Sequence, residues 1–312
     1  MDQLAWFNGQ QVPSEQLSVS VTDAGFVQGA TVSEQFRTFG GRLFQLDEHM
    51  RRLSHSLNII GIDDLDIAVL KNAARSLVSR NHSLLQPGDD LGLTLFVTPG
   101  PYAALASTSD SGATVGMHTS PLGFHRWHDK YTTGETLVVS SIRQVPASCW
   151  PTELKCRSRM HYFLADREAA RIRPGARAVL LDQNGFLAEA STASVVLFRV
   201  DEGLVAPMEQ KVLPSVSVGV FKSLAQELDI AFLHRDVTPD DMVSADEMFL
   251  SSTSPCLLPV AAVDGSPIGA GVPGKIFRRI MDAWSRRVGI DIVDQATTFA
   301  NRHIASAPQR LE

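Results

Sequence analysis

Apolar residues at Met50, Leu53, Leu57 and Ile60 recur at three- and four-residue steps, which predicts an amphipathic helix over Leu46 to Ile59. The same spacing from Ile67 to Val78 predicts a second helix. Before them, Leu4 to Asn8 and Leu17 to Val21 read as short strands. Thr31 to Thr38 and Arg42 to Gln45 flank Gly40-Gly41, a pair that readily takes the positive φ angles of a two-residue hairpin turn. Leu91 to Thr98 and Thr114 to Met117 return to strand. Residues 120–134, SPLGFHRWHDKYTTG, are polar and aromatic without a period, which predicts a connection between domains.

Beyond that connection a strand is predicted from Thr136 to Ser141 and a helix from about Arg157 to Ile172. Ala176 to Leu181, Phe186 to Leu187 and Ser194 to Val200 read as strands joined by Gln183-Asn184-Gly185 and Asp201-Glu202-Gly203 turns, an antiparallel meander. A helix follows Leu213-Pro214-Ser215 as far as Leu228, then strands at Ile230 to Leu233 and Glu247 to Ser251, and a last helix over Pro273 to Val288. The expected class is α+β in two domains, 1–122 and 135–312, with 123–134 as the linker. Ala305 to Glu312 reads as a frayed tail.

With 312 residues, 44% hydrophobic and 20% charged, the chain is long enough to bury real cores. Its net charge of −6 and the lack of a long Lys/Arg run argue against nucleic acid or an anionic membrane surface as the main partner, and favour small molecules. The opening MDQLAWF has no basic stretch followed by an apolar one, and no uncharged apolar run approaches a membrane span, so a cytoplasmic location is expected. Cys149, Cys156 and Cys256 lack metal-ligand spacing and fit reduced thiols, so no metal site is expected.

Two short stretches carry candidate chemistry. Lys155 lies in LKCRSRMHY, and Glu189 follows the turn of NGFLAEAST. A lysine amine and a separately delivered carboxylate are what pyridoxal phosphate needs, one for the Schiff base and one for the ring nitrogen. Taken singly, Lys155 also fits a solvated surface charge and Glu189 a solvated hairpin residue.

Landmarks on either side decide between these readings. In order they are Gly29-Ala30-Thr31-Val32-Ser33-Glu34, the run from Arg42 to Leu53, Lys155 with Arg167-Glu168-Ala169, Glu189, Leu213-Pro214-Ser215-Val216-Ser217, Ala245 to Thr253, and Gly269 to Gly274. From Trp6 to Val288 the chain resembles the class IV, or fold type IV, pyridoxal-phosphate enzymes. That group includes branched-chain aminotransferases, D-amino acid aminotransferase and aminodeoxychorismate lyase. The resemblance implies a small N-terminal α/β domain, a larger C-terminal domain with a mainly antiparallel sheet or barrel, pyridoxal 5'-phosphate as cofactor, amino and keto acids as substrates, and a homodimer.

The resemblance also implies residue roles. Lys155 would form the internal aldimine and move the α-proton, and Glu189 would keep the pyridine nitrogen protonated. Val216 and Ser217 at a helix start, Ser252 and Thr253 in a loop, and Arg52 with its planar fork would hold the phosphate, Arg51 being the alternative register. Singly, Ser215 fits a helix cap, Arg52 a solvated helix face, and Ser252-Thr253 a polar turn.

Departures from the family pattern bear on the substrate. Ser33 stands where an aromatic residue is usual, Ser194 for asparagine, Ser215 for glycine and Val218 for arginine, and Val97 to Tyr102 lacks the carboxylate-trapping arginine of D-amino acid aminotransferase. His125, Arg126 or Arg159 could supply that trap instead. The expected activity is amino transfer from an amino acid, which could be branched-chain, to a keto acid. Aminodeoxychorismate lyase-type β-elimination and a noncatalytic, cofactor-holding regulatory role are the alternatives.

Overall fold

Residues 2–105 and 112–301 are described by a computed structural model, and the predicted tail from Ala305 to Glu312 lies outside them. The chain forms two compact units, Met1–Leu122 with Glu153–Arg159, and Gly123–Thr152 with Met160–Glu312.

The first unit contains β1 (Leu4–Phe7), β2 (Gln10–Pro13), α1 (Ala24–Val27), β3 (Val32–Phe39), β4 (Arg42–Leu43), α2 (Leu46–Ile59), α3 (Ile67–His82), β5 (Leu91–Thr98) and β6 (Thr114–Pro121). Its strands form an antiparallel sheet in the order β2-β1-β6-β5-β3-β4. Alternation along the strands sends Val32, Phe36, Leu93, Leu95, Val97, Val115 and Met117 into one core with Met50, Leu53, Leu57, Leu70 and Leu77 of α2 and α3. The Gly40-Gly41 turn, with φ of 56° and 76°, is fastened by the Asp90 carboxylate, which accepts from both amides at 3.0 Å and from Thr38 Oγ1 at 2.6 Å.

Two strand expectations change here. Leu17 to Val21 is not a strand, because it pairs with no neighbour and leaves Val19 and Val21 exposed. The last strand runs four residues past Met117, because His118 to Pro121 continue the pairing with Leu91 to Thr94.

The second unit contains α4 (Lys130–Thr133), β7 (Glu135–Val139), α5 (Met160–Ile172), β8 (Arg177–Leu181), β9 (Leu187–Ala190), β10 (Ser194–Arg199), β11 (Gly203–Ala206), α6 (Val216–Glu227), β12 (Phe232–His234), α7 (Pro239–Val243), β13 (Glu247–Ser252), β14 (Cys256–Val263), β15 (Ser266–Pro267), α8 (Lys275–Val288) and α9 (Ile292–Phe299). Eight strands follow the order β12-β11-β10-β13-β14-β7-β8-β9, and β15 pairs with β14. Most pairs are antiparallel, whereas β7 runs parallel to both β8 and β14, and β12 parallel to β11. The expected meander is therefore interrupted, since the second ladder partner of β10, besides β11, is β13.

Residues 123–134, expected as a linker, are built into this second unit. Their aromatics are core: Phe124, Trp127 and Tyr131 are buried, and Tyr131 OH donates to Pro255 O at 2.7 Å. The helix expected from Arg157 begins at Met160, because the residues before it lie extended along β3: Cys156 bridges to Val32, and Arg157 N donates to Thr31 O at 2.8 Å.

Candidate active site

In the first unit, the backbone of Lys155 is fixed at both ends. Its carbonyl accepts from Ser33 N at 3.0 Å and its amide donates to Ser56 Oγ at 3.2 Å, which seats the lysine on the edge of β3 beside α2. Burial pulls the ammonium down to about 7 despite the opposing charge of Glu34, and Arg52, Arg159 and Arg157 push in the same direction as burial. An amine in that range is substantially neutral, hence nucleophilic, near neutral pH.

Glu34 faces α2 from β3 and is fully buried. Its Oε1 accepts from Arg52 Nε at 2.7 Å, its Oε2 accepts from Arg52 Nη2 at 2.8 Å, and His49 Nδ1 lies 2.8 Å from the same Oε2. Burial alone would raise the Glu34 pKa, but the Arg52 hydrogen bonds and charge, with His49, hold it at about 2. Burial also lowers His49 below the ordinary histidine value against the pull of Glu34. An ionised carboxylate offers no proton, so the close contact requires the hydrogen on His49 Nδ1. One turn of α2 separates His49 from Arg52 and puts both on the face toward β3. Arg51 points outward and pairs with Glu48, so Arg52 is the inward residue of the two.

The second unit carries Glu189, Val216, Ser217, Ser252 and Thr253. Glu189, on β9, is 8% exposed. Its Oε2 accepts from Tyr162 OH at 2.8 Å and Gln144 Nε2 at 3.1 Å, and its Oε1 accepts from Leu213 N at 3.1 Å. The Leu213 bond ties the approach to α6 to Glu189. Ser215 caps α6 by accepting from Val218 N at 3.2 Å, which leaves the amides of Val216 and Ser217 in the first turn, where no intrahelical acceptor exists. Ser252 ends β13 and Thr253 enters the turn closed by the pairing of Ser252 with Cys256. Pairing of Ser194 with Ser251, and of Ala190 with Ala193, brings the ends of β9, β10 and β13 to one end of the sheet.

Among the alternatives for a carboxylate trap, His125 and Arg126 are exposed in the second unit, with Arg126 5.7 Å from the Trp127 ring, whereas Arg159 is half-buried in the first. Sequence reasoning assigns no role to Glu34, His49, Tyr162 or Gln144. Glu34 and His49 lie inside the landmark stretches, and a charged residue amid the apolar alternation of β3 is the available signal. Nothing in the pattern around Gln144 marks it. Among the described residues no group of His, Cys, Asp and Glu could hold a metal ion, and no helix is long and apolar enough to cross a membrane.

Known proteins provide a third line of observation. The family described as amino-transferase class IV matches residues 31–263. The chain is 28% identical to a D-alanine aminotransferase of Bacillus licheniformis over 280 residues, covering 89% of this chain and 94% of that one. It is 27% identical to a branched-chain-amino-acid aminotransferase of Salmonella typhimurium over 292 residues, covering 89% and 91%. The crystal structure of Escherichia coli branched-chain amino acid aminotransferase superimposes with a TM-score of 0.81 at 25% identity, covering 91% of this chain and 94% of that one. Another branched-chain amino acid aminotransferase, solved with pyridoxamine 5'-phosphate, shares the fold with a TM-score of 0.81 at 24% identity, covering 93% and 95%.

Proposed function

The chain belongs to the class IV aminotransferase family, and from that premise we infer that it is a pyridoxal 5'-phosphate-dependent aminotransferase acting between an amino acid and a keto acid. The observation that carries this reading is the seating of Lys155 on the edge of β3, held by Ser33 N and Ser56 Oγ, where burial lowers its amine to about 7. The donor set fits the cofactor chemically: an amine able to condense with an aldehyde, a buried carboxylate for a pyridinium, and amides and hydroxyls for a phosphate dianion.

When bound, the cofactor supplies an electron sink for the bond broken at the substrate α-carbon. Lys155 Nζ would hold the cofactor and, when free, would accept and return the α-proton of the substrate. Glu189, oriented by Tyr162 OH, Gln144 Nε2 and Leu213 N, would hold a proton on the pyridine nitrogen. Val216 and Ser217 at the start of α6, Ser252 at the end of β13 with Thr253 beyond it, and Arg52 would hold the phosphate. Glu34 and His49 fix the Arg52 guanidinium for that task. The substrates are small amino and keto acids, and a cytoplasmic homodimer is the form that the resemblance supports.

The test is spectroscopic. Purified chain mixed with pyridoxal 5'-phosphate should acquire a visible band that Lys155→Ala lacks. Amino acids added one at a time should convert it to the pyridoxamine form, and a keto acid should restore it. A colourless wild-type chain, or a band unchanged in Lys155→Ala, would refute the assignment.

A further inference from the structure

The face of the first sheet that turns away from α2 and α3 is polar in one region. Ser33 and Gln35 point there from β3, on the opposite side from Val32, Glu34 and Phe36. Strand pairing sets two rows across it, Ser33–Phe96–Gly116 and Gln35–Thr94–His118. Thr94 Oγ1 donates to Gln35 Oε1 at 2.9 Å, and the Phe96 ring lies so close over Gly116 that a Cβ there would come within 2.2 Å of it. The region is thus built by fixed side chains.

Arg157 reaches into this region. Its Nε donates to Ser33 Oγ at 2.9 Å, and the same extended segment pairs its amide with Thr31 O. Anchoring at Nε fixes the plane of the guanidinium and leaves the two terminal nitrogens, which have no ion-pair partner among the described residues. Glu34, whose charge Lys155 feels, is engaged by Arg52 and His49 on the other side of the sheet. Arg157 is solvent-accessible, and its charge is felt by Lys155 and by half-buried His118, whose imidazole burial first and Arg157 second hold below the ordinary value. Arg159 repeats the positive charge two residues on.

An oriented, accessible guanidinium without a carboxylate of its own matches a planar anion that accepts two parallel hydrogen bonds. We propose that Arg157, held by Ser33 and flanked by His118, recognises a carboxylate of the substrate. The proposal rests on the aminotransferase reading for the identity of that substrate. The carboxylate belongs either to the α-carbon or to the side chain of a dicarboxylic amino acid, and both have the same chemistry.

The test compares Arg157→Gln and Ser33→Ala with wild type. Alanine, glutamate and 1-phenylethylamine serve as amino donors, and glutarate binding to the cofactor-free chain is followed by calorimetry. Arg157→Gln should raise KM by roughly tenfold or more, the size expected for a lost charge-assisted hydrogen-bond pair, with a smaller change in kcat. Ser33→Ala should move KM in the same direction by less. A rise for both amino acids and not for 1-phenylethylamine places the α-carboxylate on Arg157, and a rise for glutamate alone places the side-chain carboxylate there.

Glutarate should bind wild type and lose that affinity in Arg157→Gln. An unchanged KM for both amino acids, or an equal loss for all three donors, overturns the proposal while leaving aminotransfer intact. Glutarate binding that depends on Arg157 in a chain that transfers no amino group would support the carboxylate site and sink the aminotransferase reading instead.

Discussion

Lys155 illustrates how one side chain's surroundings set both chemistry and stability. Its amine titrates at about 7 in the folded chain against an ordinary 10.5. The unfolded chain therefore holds more protons between those values, and the contribution of this group to stability grows as pH rises from about 7 to 10.5. Cofactor-free wild type should thus gain stability between those limits relative to Lys155→Met, as read from urea midpoints at several pH values. Glu34 has the opposite range: depressed to about 2 from 4.5, it stabilises the fold above 4.5 and loses that contribution as pH falls through 2. Glu34→Gln leaves Arg52 buried without its counter-charge and should cost about 3–5 kcal/mol in chemical denaturation. The same variant should shift the Lys155 amine lower still, measurable from the pH dependence of its reaction with an acylating probe. Lys155 and Glu189 were proposed as site residues from the sequence because their chemistry is distinctive. The partnership of Glu34 with His49 and Arg52 was not, because it depends on which face of α2 meets β3.

At the scale of elements, the periodic segments were the readable ones. The predicted bounds of α2 and β5 coincide with the observed Leu46–Ile59 and Leu91–Thr98, since one face of each is continuous core. The sequence pattern starts α5 about three residues early, because residues with helical propensity are recruited as a strand partner of β3, an effect of tertiary structure that local pattern does not contain. The strand β14 and the short elements β11 and α7 were not anticipated, since their signals are either brief or, as in Cys256 to Val263, an unbroken apolar run without alternation. The start of α8 shows how closely such elements are fitted. Glu247 on β13 accepts from Ile276 N at 2.8 Å and Phe277 N at 3.0 Å, and a Cβ at Gly274 would come within 2.2 Å of that carboxylate. Gly274→Ala should therefore push Glu247 away and cost about 1–2 kcal/mol, the worth of a helix cap, as a lowered thermal midpoint.

Across the whole molecule, the division into two domains was foreseen, but the path of the chain between them was not. The aromatics of 123–134 looked like a linker and are core, and Glu153–Arg159 returns to the first unit after the chain has entered the second. A fragment ending at Leu122 would lack that returning segment and bare the β3 edge at Thr31 to Ser33. Such a fragment should be more aggregation-prone than the same fragment supplied with a peptide spanning 153–159, as followed by light scattering.

The residues that complete the edge of the first sheet are thus the very ones that bear Lys155. Exchanging domains between relatives through a single crossover near residue 122 would part a sheet from its own lysine, whereas a pair of crossovers bracketing 153–159 would transfer the two as one inheritable piece.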